Sequence, residues 1–183
     1  DRYDRMTRVP PADTPAPPEG DAFLDALYGA LRLLSEASAP HDAVAPEVAA
    51  VRLAASLAVG AMIGFDRERR ERPAGLRTNM LVSLAATLFT IAALEVAAAG
   101  ERLGPHLRVD PTRIVEAVTA GVAFIAAGAV FRRGDKVKGV TTGAAMWLAG
   151  ALGVACGLGY LALAALVALA AMTVLIVVRE FEP

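Results

Sequence analysis

The sequence predicts an all-α polytopic membrane protein with five transmembrane helices, preceded by an amphipathic helix near the amino terminus. Of the 183 residues, 56% are apolar, whereas a soluble domain averages about 45–50%. The apolar residues are concentrated in the last two thirds of the chain, in runs of about 20 residues, the length that crosses the hydrocarbon layer as a helix. Blocks of charge separate several of these runs, as expected of loops at a membrane face.

Residues 1–45 are predicted to form an extension with two parts. Residues 1–20 are polar and proline-rich, with too little apolar surface to fold alone. In residues 21–37 the apolar side chains fall at helical spacing on one side, which predicts an amphipathic helix. This helix could lie at the membrane interface, bind a partner, or pack on the protein's own extramembrane surface. We expect residues 1–40 to contact either the protein's outer face or a membrane-protein partner.

Residues 46–183 are predicted to form the five-helix transmembrane domain. Pro46 and Asp110-Pro111 are typical of first helical turns, and Gly104-Pro105 marks a turn. The predicted spans are residues 47–65, 76–99, 112–131, 139–157 and 160–178.

Glycines at helical spacing predict close contacts between the spans. In lipid, helices associate through close packing, so small residues are expected where backbones meet. The glycines concerned are Gly60, Gly64, Gly121, Gly128, Gly153 and Gly157.

Two basic loops set the expected orientation. Residues 66–77 contain five arginines against three acids, and residues 132–138 contain four cations against Asp135. Short basic loops stay in the cytoplasm. With five spans, the amino terminus is therefore expected in the periplasm and the carboxyl terminus in the cytoplasm.

A polar cluster is predicted at the outer end of the bundle. Arg52 lies about 9 Å inside the first span, where a lone arginine is costly, and Asp110 is its best-placed partner. Arg113 can pair with Glu116 on the third helix. The cluster is either a polar entrance to an ion or proton pathway, or a set of ion pairs that holds helices in register. Its members are Arg52, Glu95, Asp110, Arg113 and Glu116.

A second polar cluster is predicted at the inner end, where the second and fourth helices begin. Helix amino termini present free N–H groups and favour anions. These residues could bind an ion or could cap helices, and capping is sufficient for Thr141. An unpaired amide inside the membrane is costly, so Asn79 is harder to explain in this way. The cluster comprises Asp66, Arg67, Glu68, Arg77, Thr78, Asn79, Lys138, Thr141 and Thr142.

Several classes of function find no support in the sequence. Motifs of zinc hydrolases, phosphate-binding loops and carboxylate-rich metal loops are absent, so no enzymatic activity is expected. A single cysteine, Cys156, excludes an intrachain disulfide and a cysteine metal site. No cofactor is expected, because no ligand motif supports Mg²⁺ or another cation. The basic residues cluster in two loops and not on one face, so the expected partner is the bilayer and not nucleic acid.

The chain resembles a known family. Gly60-x-x-x-Gly64-x-x-Arg67-Glu68, followed by Pro73-Ala74-Gly75-Leu76-Arg77-Thr78, is similar to the signature of the MgtC/SapB family of bacterial inner-membrane proteins. The resemblance covers about residues 47–179. The later matching motifs are Asp110-Pro111-x-Arg113, Gly121, Phe124, Gly128, Lys138-Gly139-x-Thr141-Thr142, Trp147 and Gly153.

The resemblance implies a five-helix inner-membrane domain and a link to magnesium limitation, membrane potential and modulation of the F-type ATP synthase. Asp66 stands where the family usually has Glu, and Ala123 and Ala126 replace two glycines, which should hold the third helix slightly further from its neighbours. Residues 1–45 lie outside the shared domain.

These patterns leave three hypotheses of function. The first is an inner-membrane regulator of ion or proton homeostasis, with Arg52, Asp66, Arg77, Asn79, Asp110 and Arg113 as its functional set. The second is an accessory subunit of a larger membrane complex, held through residues 1–40. A cation carrier is the third, and a homo-oligomer is compatible with each of them.

Overall fold

The computed structural model of the chain describes residues 26, 29, 43–103, 110, 112–133 and 136–178. The chain divides into two units, Asp1–Pro40 and His41–Pro183. In the first unit Ala26 and Gly29 are described, and both are helical. The rest of the predicted amphipathic helix 21–37 and the proline-rich residues 1–20 lie outside the described residues.

Within the described part of the second unit, the chain forms five α-helices and a two-stranded sheet. Helix α1 spans Pro46–Arg69, α2 Leu76–Leu103, α3 Thr112–Gly128, α4 Val140–Gly157 and α5 Leu161–Thr173. A π-helical turn, Val174–Val178, continues α5, and strands β1 (Phe131–Arg133) and β2 (Lys136–Lys138) lie between α3 and α4. A helix occupies each of the five predicted spans, with boundaries shifted by a few residues.

Three of the described helices are long and apolar enough to cross a membrane: Pro46–Arg69, Leu76–Glu101 and Val140–Gly157. Helix α3 has 17 residues, and the apolar helix Leu161–Ile176 is also shorter than these three. Large apolar side chains point outward from α5, where Leu166 is 65% exposed. The prediction of a helical membrane protein is therefore confirmed, while the number of five spans stays a prediction.

The second basic loop is a β-hairpin, which the all-α prediction missed. Helix α3 ends at Gly128, before the predicted end at residue 131. The strands pair antiparallel, with Phe131 opposite Lys138 and Arg132 opposite Val137. Gly139 then starts α4 with a φ of +87°, and a Cβ there would lie 2.0 Å from the Ala129 carbonyl oxygen. A glycine is needed at this point because the returning strand brings residue 139 against the end of α3.

Helices α1, α2 and α4 form the tightly packed centre of the bundle. A Cβ added at Gly60 would lie 2.8 Å from the Asn79 carbonyl oxygen, and one at Gly153 would lie 2.2 Å from that of Ser83. Gly64 and Gly157 are as closely packed, against Leu76 and Thr90 respectively. Close packing is thus confirmed at these four glycines.

The packing prediction is wrong for the two glycines of α3. Nothing lies within 4 Å of a Cβ added at Gly121 or Gly128. Helix α3 buries only Val122 and Ala126, and the two glycines lie on its exposed side. The spacing of Gly121 and Gly128 puts both on one side of a helix, whether or not that side is packed. The sequence alone therefore does not reveal which side of α3 meets the bundle.

We expect Gly153→Ala to destabilise the protein by about 1–3 kcal/mol, because the new methyl group would push α4 away from the α2 backbone. Gly121→Ala is the matched control, since it makes the same chemical change in an open position. Thermal unfolding in detergent, followed by helical circular dichroism, measures both. Equal melting temperatures for the two variants would contradict the close α2–α4 packing.

Candidate functional site

The two ends of the bundle are defined by their helix termini. At the inner end α1 finishes and α2 and α4 begin; at the outer end α1 begins and α4 finishes. The two predicted polar clusters occur at these ends, and they differ in how far their members come together.

Arg67 connects three segments at the inner end. It is 4% exposed and is the one buried charged side chain among the described residues. Its Nε donates to the Ala74 carbonyl (3.2 Å) and its Nη2 to the Pro73 carbonyl (3.0 Å). Nη2 also donates to the hydroxyl of Thr142 on α4. Arg67 therefore fastens the α1–α2 loop to the start of α4.

The neighbouring carboxylates of Asp66 and Glu68 accept hydrogen bonds from groups other than Arg67. Asp66 accepts a 2.6 Å hydrogen bond from Nε of Arg70, the residue that follows α1. Glu68 Oε2 accepts the backbone N–H of Leu76 at 2.9 Å and so caps the first turn of α2. In the described structure, the side-chain hydrogen bonds that Arg67 donates all end on uncharged acceptors, two backbone carbonyls and one hydroxyl.

Asn79 reinforces the same loop from α2. Its Nδ2 donates to the carbonyls of Ala74 (2.7 Å) and Gly75 (2.8 Å). The Ala74 carbonyl thus accepts from both Arg67 and Asn79. Ala74 has a φ of +56°, a left-handed conformation that costs an alanine on the order of 1 kcal/mol. The two donors hold this unfavourable backbone conformation in place.

A line of polar side chains continues from Asn79 along one face of α2. We call Asn79, Ser83, Thr87 and Thr90 the polar line; each is at most 2% exposed. Thr87 Oγ1 lies 2.8 Å from the Gly153 carbonyl of α4, and Thr90 Oγ1 donates to the Ala86 carbonyl at 2.7 Å. Asn79 Oδ1 and Ser83 Oγ are buried without a hydrogen-bond partner in the described structure.

Sequence reasoning identified Asn79 but missed the other three members of the polar line. The signal was available: spacings of four, four and three residues put polar groups on one face of an otherwise apolar helix. Among the remaining inner-end predictions, Thr142 is buried, Thr78 is half-buried, and Arg77, Lys138 and Thr141 are exposed.

At the outer end, Arg52 binds a helix terminus and not the predicted carboxylate. Its Nη1 donates to the carbonyl of Gly157, the last residue of α4, at 2.7 Å. The terminal carbonyls of a helix carry partial negative charge, which satisfies the guanidinium. The predicted Arg52–Asp110 pair is therefore wrong. Asp110 Oδ1 instead accepts the Thr112 hydroxyl (2.6 Å) and backbone N–H (2.9 Å) at the start of α3.

The other outer residues serve separate contacts. Glu95 accepts the backbone N–H groups of Val44 (2.9 Å) and Ala43 (3.3 Å), joining α2 to the segment before α1. Arg113 and Glu116 are exposed, and no ion pair between them occurs in the described structure. Within the described residues, the outer cluster thus makes individual contacts near helix termini and is not gathered into one site.

Among the described residues, no group of three or more His, Cys, Asp or Glu side chains could hold a metal ion. The side-chain oxygen atoms of the polar line are amide and hydroxyl groups, while the carboxylates at the inner end are those of Asp66, Glu68 and Glu71.

The fold and the polar line together define a polytopic helical membrane protein with a buried polar centre. The MgtC family model matches residues 53–183. The chain therefore belongs to the MgtC family, as its motifs predicted.

Individual relatives are similar over a shorter region. The chain is 38% identical to Protein MgtC of Brucella abortus (strain 2308) over 113 residues, which are 62% of this chain and 44% of that protein. It is 37% identical to Protein MgtC of Salmonella typhimurium (strain LT2) over 109 residues, or 60% and 43% of the two chains. The match thus covers less than half the length of these relatives. No solved structure matches the chain.

We expect Arg67→Lys to lower the free energy of unfolding by on the order of 2–3 kcal/mol, because a single ammonium group cannot reproduce the Arg67 contacts to the loop and to Thr142. Arg69→Lys is the control, since Arg69 lies two residues further along α1 and is exposed. Thermal unfolding in detergent measures both. A wild-type melting temperature for Arg67→Lys would show that the Arg67 hydrogen bonds contribute little to stability.

The start of α3 is expected to become less stable at low pH. Hydrogen bonds from the Thr112 hydroxyl and backbone, with a smaller contribution from Arg113, hold the pKa of Asp110 below its ordinary value of 3.8. The contribution of the Asp110 cap to the stability of α3 is thus fully present above pH 3.8. It is lost as the pH falls through the lower pKa that Asp110 has in the folded state. Amide hydrogen exchange in the first turn of α3 should accelerate over that range, after correction for intrinsic rates. Asp110→Asn should remove this pH dependence, because an amide caps without titrating.

Proposed function

We propose that the chain is a bacterial inner-membrane protein that modulates ion or proton homeostasis and has no enzymatic activity. The observation that carries this proposal is the pair of unpartnered polar atoms, Asn79 Oδ1 and Ser83 Oγ, buried within α2. Polar groups inside a membrane span are costly and typically mark ion or proton pathways.

The orientation of the Asn79 amide supports a functional role. Both carbonyls that Nδ2 contacts are acceptors, so the amide cannot be reversed without losing two hydrogen bonds. Oδ1 must therefore face away from the loop. A buried acceptor left unsatisfied costs about 1–3 kcal/mol. A site that needed only a helix cap would not require this arrangement.

The charge of Arg67 favours modulation over cation transport. Arg67 and Asn79 donate to the same carbonyl, so the guanidinium lies next to the inner end of the polar line. A positive charge in this position opposes the entry of a free cation. The polar line is better suited to accepting a hydrogen bond than to passing a free cation or a proton.

The same contacts support the proposed topology. The bond from Arg67 to Thr142 joins the α1–α2 loop to the start of α4, so the two basic segments 66–77 and 132–138 lie at one end. We place this end in the cytoplasm. Helix α5 and its π-helical continuation, Leu161–Val178, are helical throughout, about 27 Å at 1.5 Å per residue. This length is close to the hydrocarbon thickness of about 30 Å and supports five spans, with the amino terminus in the periplasm.

The family adds a physiological setting. The family resemblance links these proteins to magnesium limitation and to modulation of the F-type ATP synthase, and we extend both links to this chain as part of the proposal. Modulation of a proton-driven enzyme would be consistent with a polar line that does not conduct cations freely.

The test is the membrane potential of inverted inner-membrane vesicles that contain equal amounts of wild-type or variant chain. We expect Asn79→Leu to return the respiration-driven potential to that of vesicles without the chain, because the oriented acceptor is lost. Ser56→Ala is the matched control: Ser56 is buried on α1, but its hydroxyl is satisfied locally by the Leu53 carbonyl. A wild-type potential with Asn79→Leu would overturn the proposed function.

A further inference from the structure

Pairing and burial determine which charges of the inner end are exposed on its surface. Residues 66–77 contain five arginines and three acids, a modest excess in the sequence. In the structure Asp66 is paired with Arg70, and Glu68 caps the start of α2. Glu68 and Glu71 are the exposed acids of this segment. The exposed cations of the described inner end are Arg69, Arg72, Arg77 and Lys138.

Exposed apolar side chains accompany these cations. The Arg69 guanidinium lies 5.7 Å from the centre of the Phe65 ring, and Phe65 is 53% exposed. On the hairpin, Phe131 is the register partner of Lys138. Phe131 is 50% exposed and Val137 60%. Exposed cationic and apolar groups thus occur together where the apolar helices end.

We propose that this surface binds the phosphate headgroups of anionic phospholipids. We call it the basic rim: the cations Arg69, Arg72, Arg77 and Lys138 together with the exposed apolar residues Phe65, Phe131 and Val137. The apolar side chains would enter the boundary between headgroups and acyl chains, while the cations contact the phosphates. The proposal does not depend on the role assigned to the polar line.

A lipid fits the basic rim better than an acidic protein segment. The hairpin strands have three residues each, which offers little area for a protein partner. The exposed rings are continuous with helix surfaces that already require lipid. Each Lys or Arg near an anionic bilayer strengthens association by about fivefold, and the four exposed cations of the rim outnumber the two exposed acids, Glu68 and Glu71.

The experiment measures lipid retention by the full chain in a neutral detergent, using native mass spectrometry. Phosphatidylglycerol and phosphatidylcholine with identical acyl chains are added at equal concentration. We expect the wild type to retain phosphatidylglycerol at least tenfold more than phosphatidylcholine, and the preference to fall when salt is raised. Arg77→Gln and Lys138→Gln should each reduce it by about fivefold.

Arg113→Gln is the matched control, because Arg113 is also exposed but lies at the opposite end of α3 from the hairpin. It should leave the preference unchanged. Equal retention of the two lipids by the wild type would overturn the proposal, as would an equal loss in Arg113→Gln. Displacement of phosphatidylglycerol by an acidic peptide at lower concentration would also overturn it, in favour of a protein partner. Melting temperatures in phosphatidylcholine establish that each variant is folded.

Discussion

The burial of Arg67 is the constraint on which the inner end depends. A guanidinium removed from water needs acceptors for its N–H groups, and here backbone carbonyls and the Thr142 hydroxyl supply them. To present those carbonyls, the loop adopts left-handed backbone at Ala74. Asn79 then completes the loop from the other side. One buried charge thereby sets the path of the α1–α2 loop and the position of α4.

Close helix packing and the polar line are two results of the same arrangement. Because Gly60 and Gly153 have no side chains, α1 and α4 approach the α2 backbone on two sides near Ser83. This approach removes Asn79, Ser83 and Thr87 from lipid and from water. Polar groups that would be unfavourable on a lipid-facing surface are accommodated at the meeting point of three helices.

Features that repeat along the chain could be predicted from the sequence. Features that depend on which side of a helix faces the bundle could not. Runs of apolar residues predicted the helices, and the motifs around Arg67 predicted the family. The partner of Arg52 was misassigned because a carboxylate is visible in a sequence, whereas the free carbonyl of Gly157 appears only once α4 is known to end beside α1. The glycines of α3 were misread for a similar reason, since spacing does not show which side is covered.

Helix α3 packs against the rest of the bundle on one side only. Val122 and Ala126 are its buried side chains, while α4 buries ten of its residues. Local opening is least costly where few apolar contacts are broken. We therefore expect α3 to separate from the bundle at lower cost than α1, α2 or α4. Because α3 leads directly into the hairpin, such a displacement would move the strands as well.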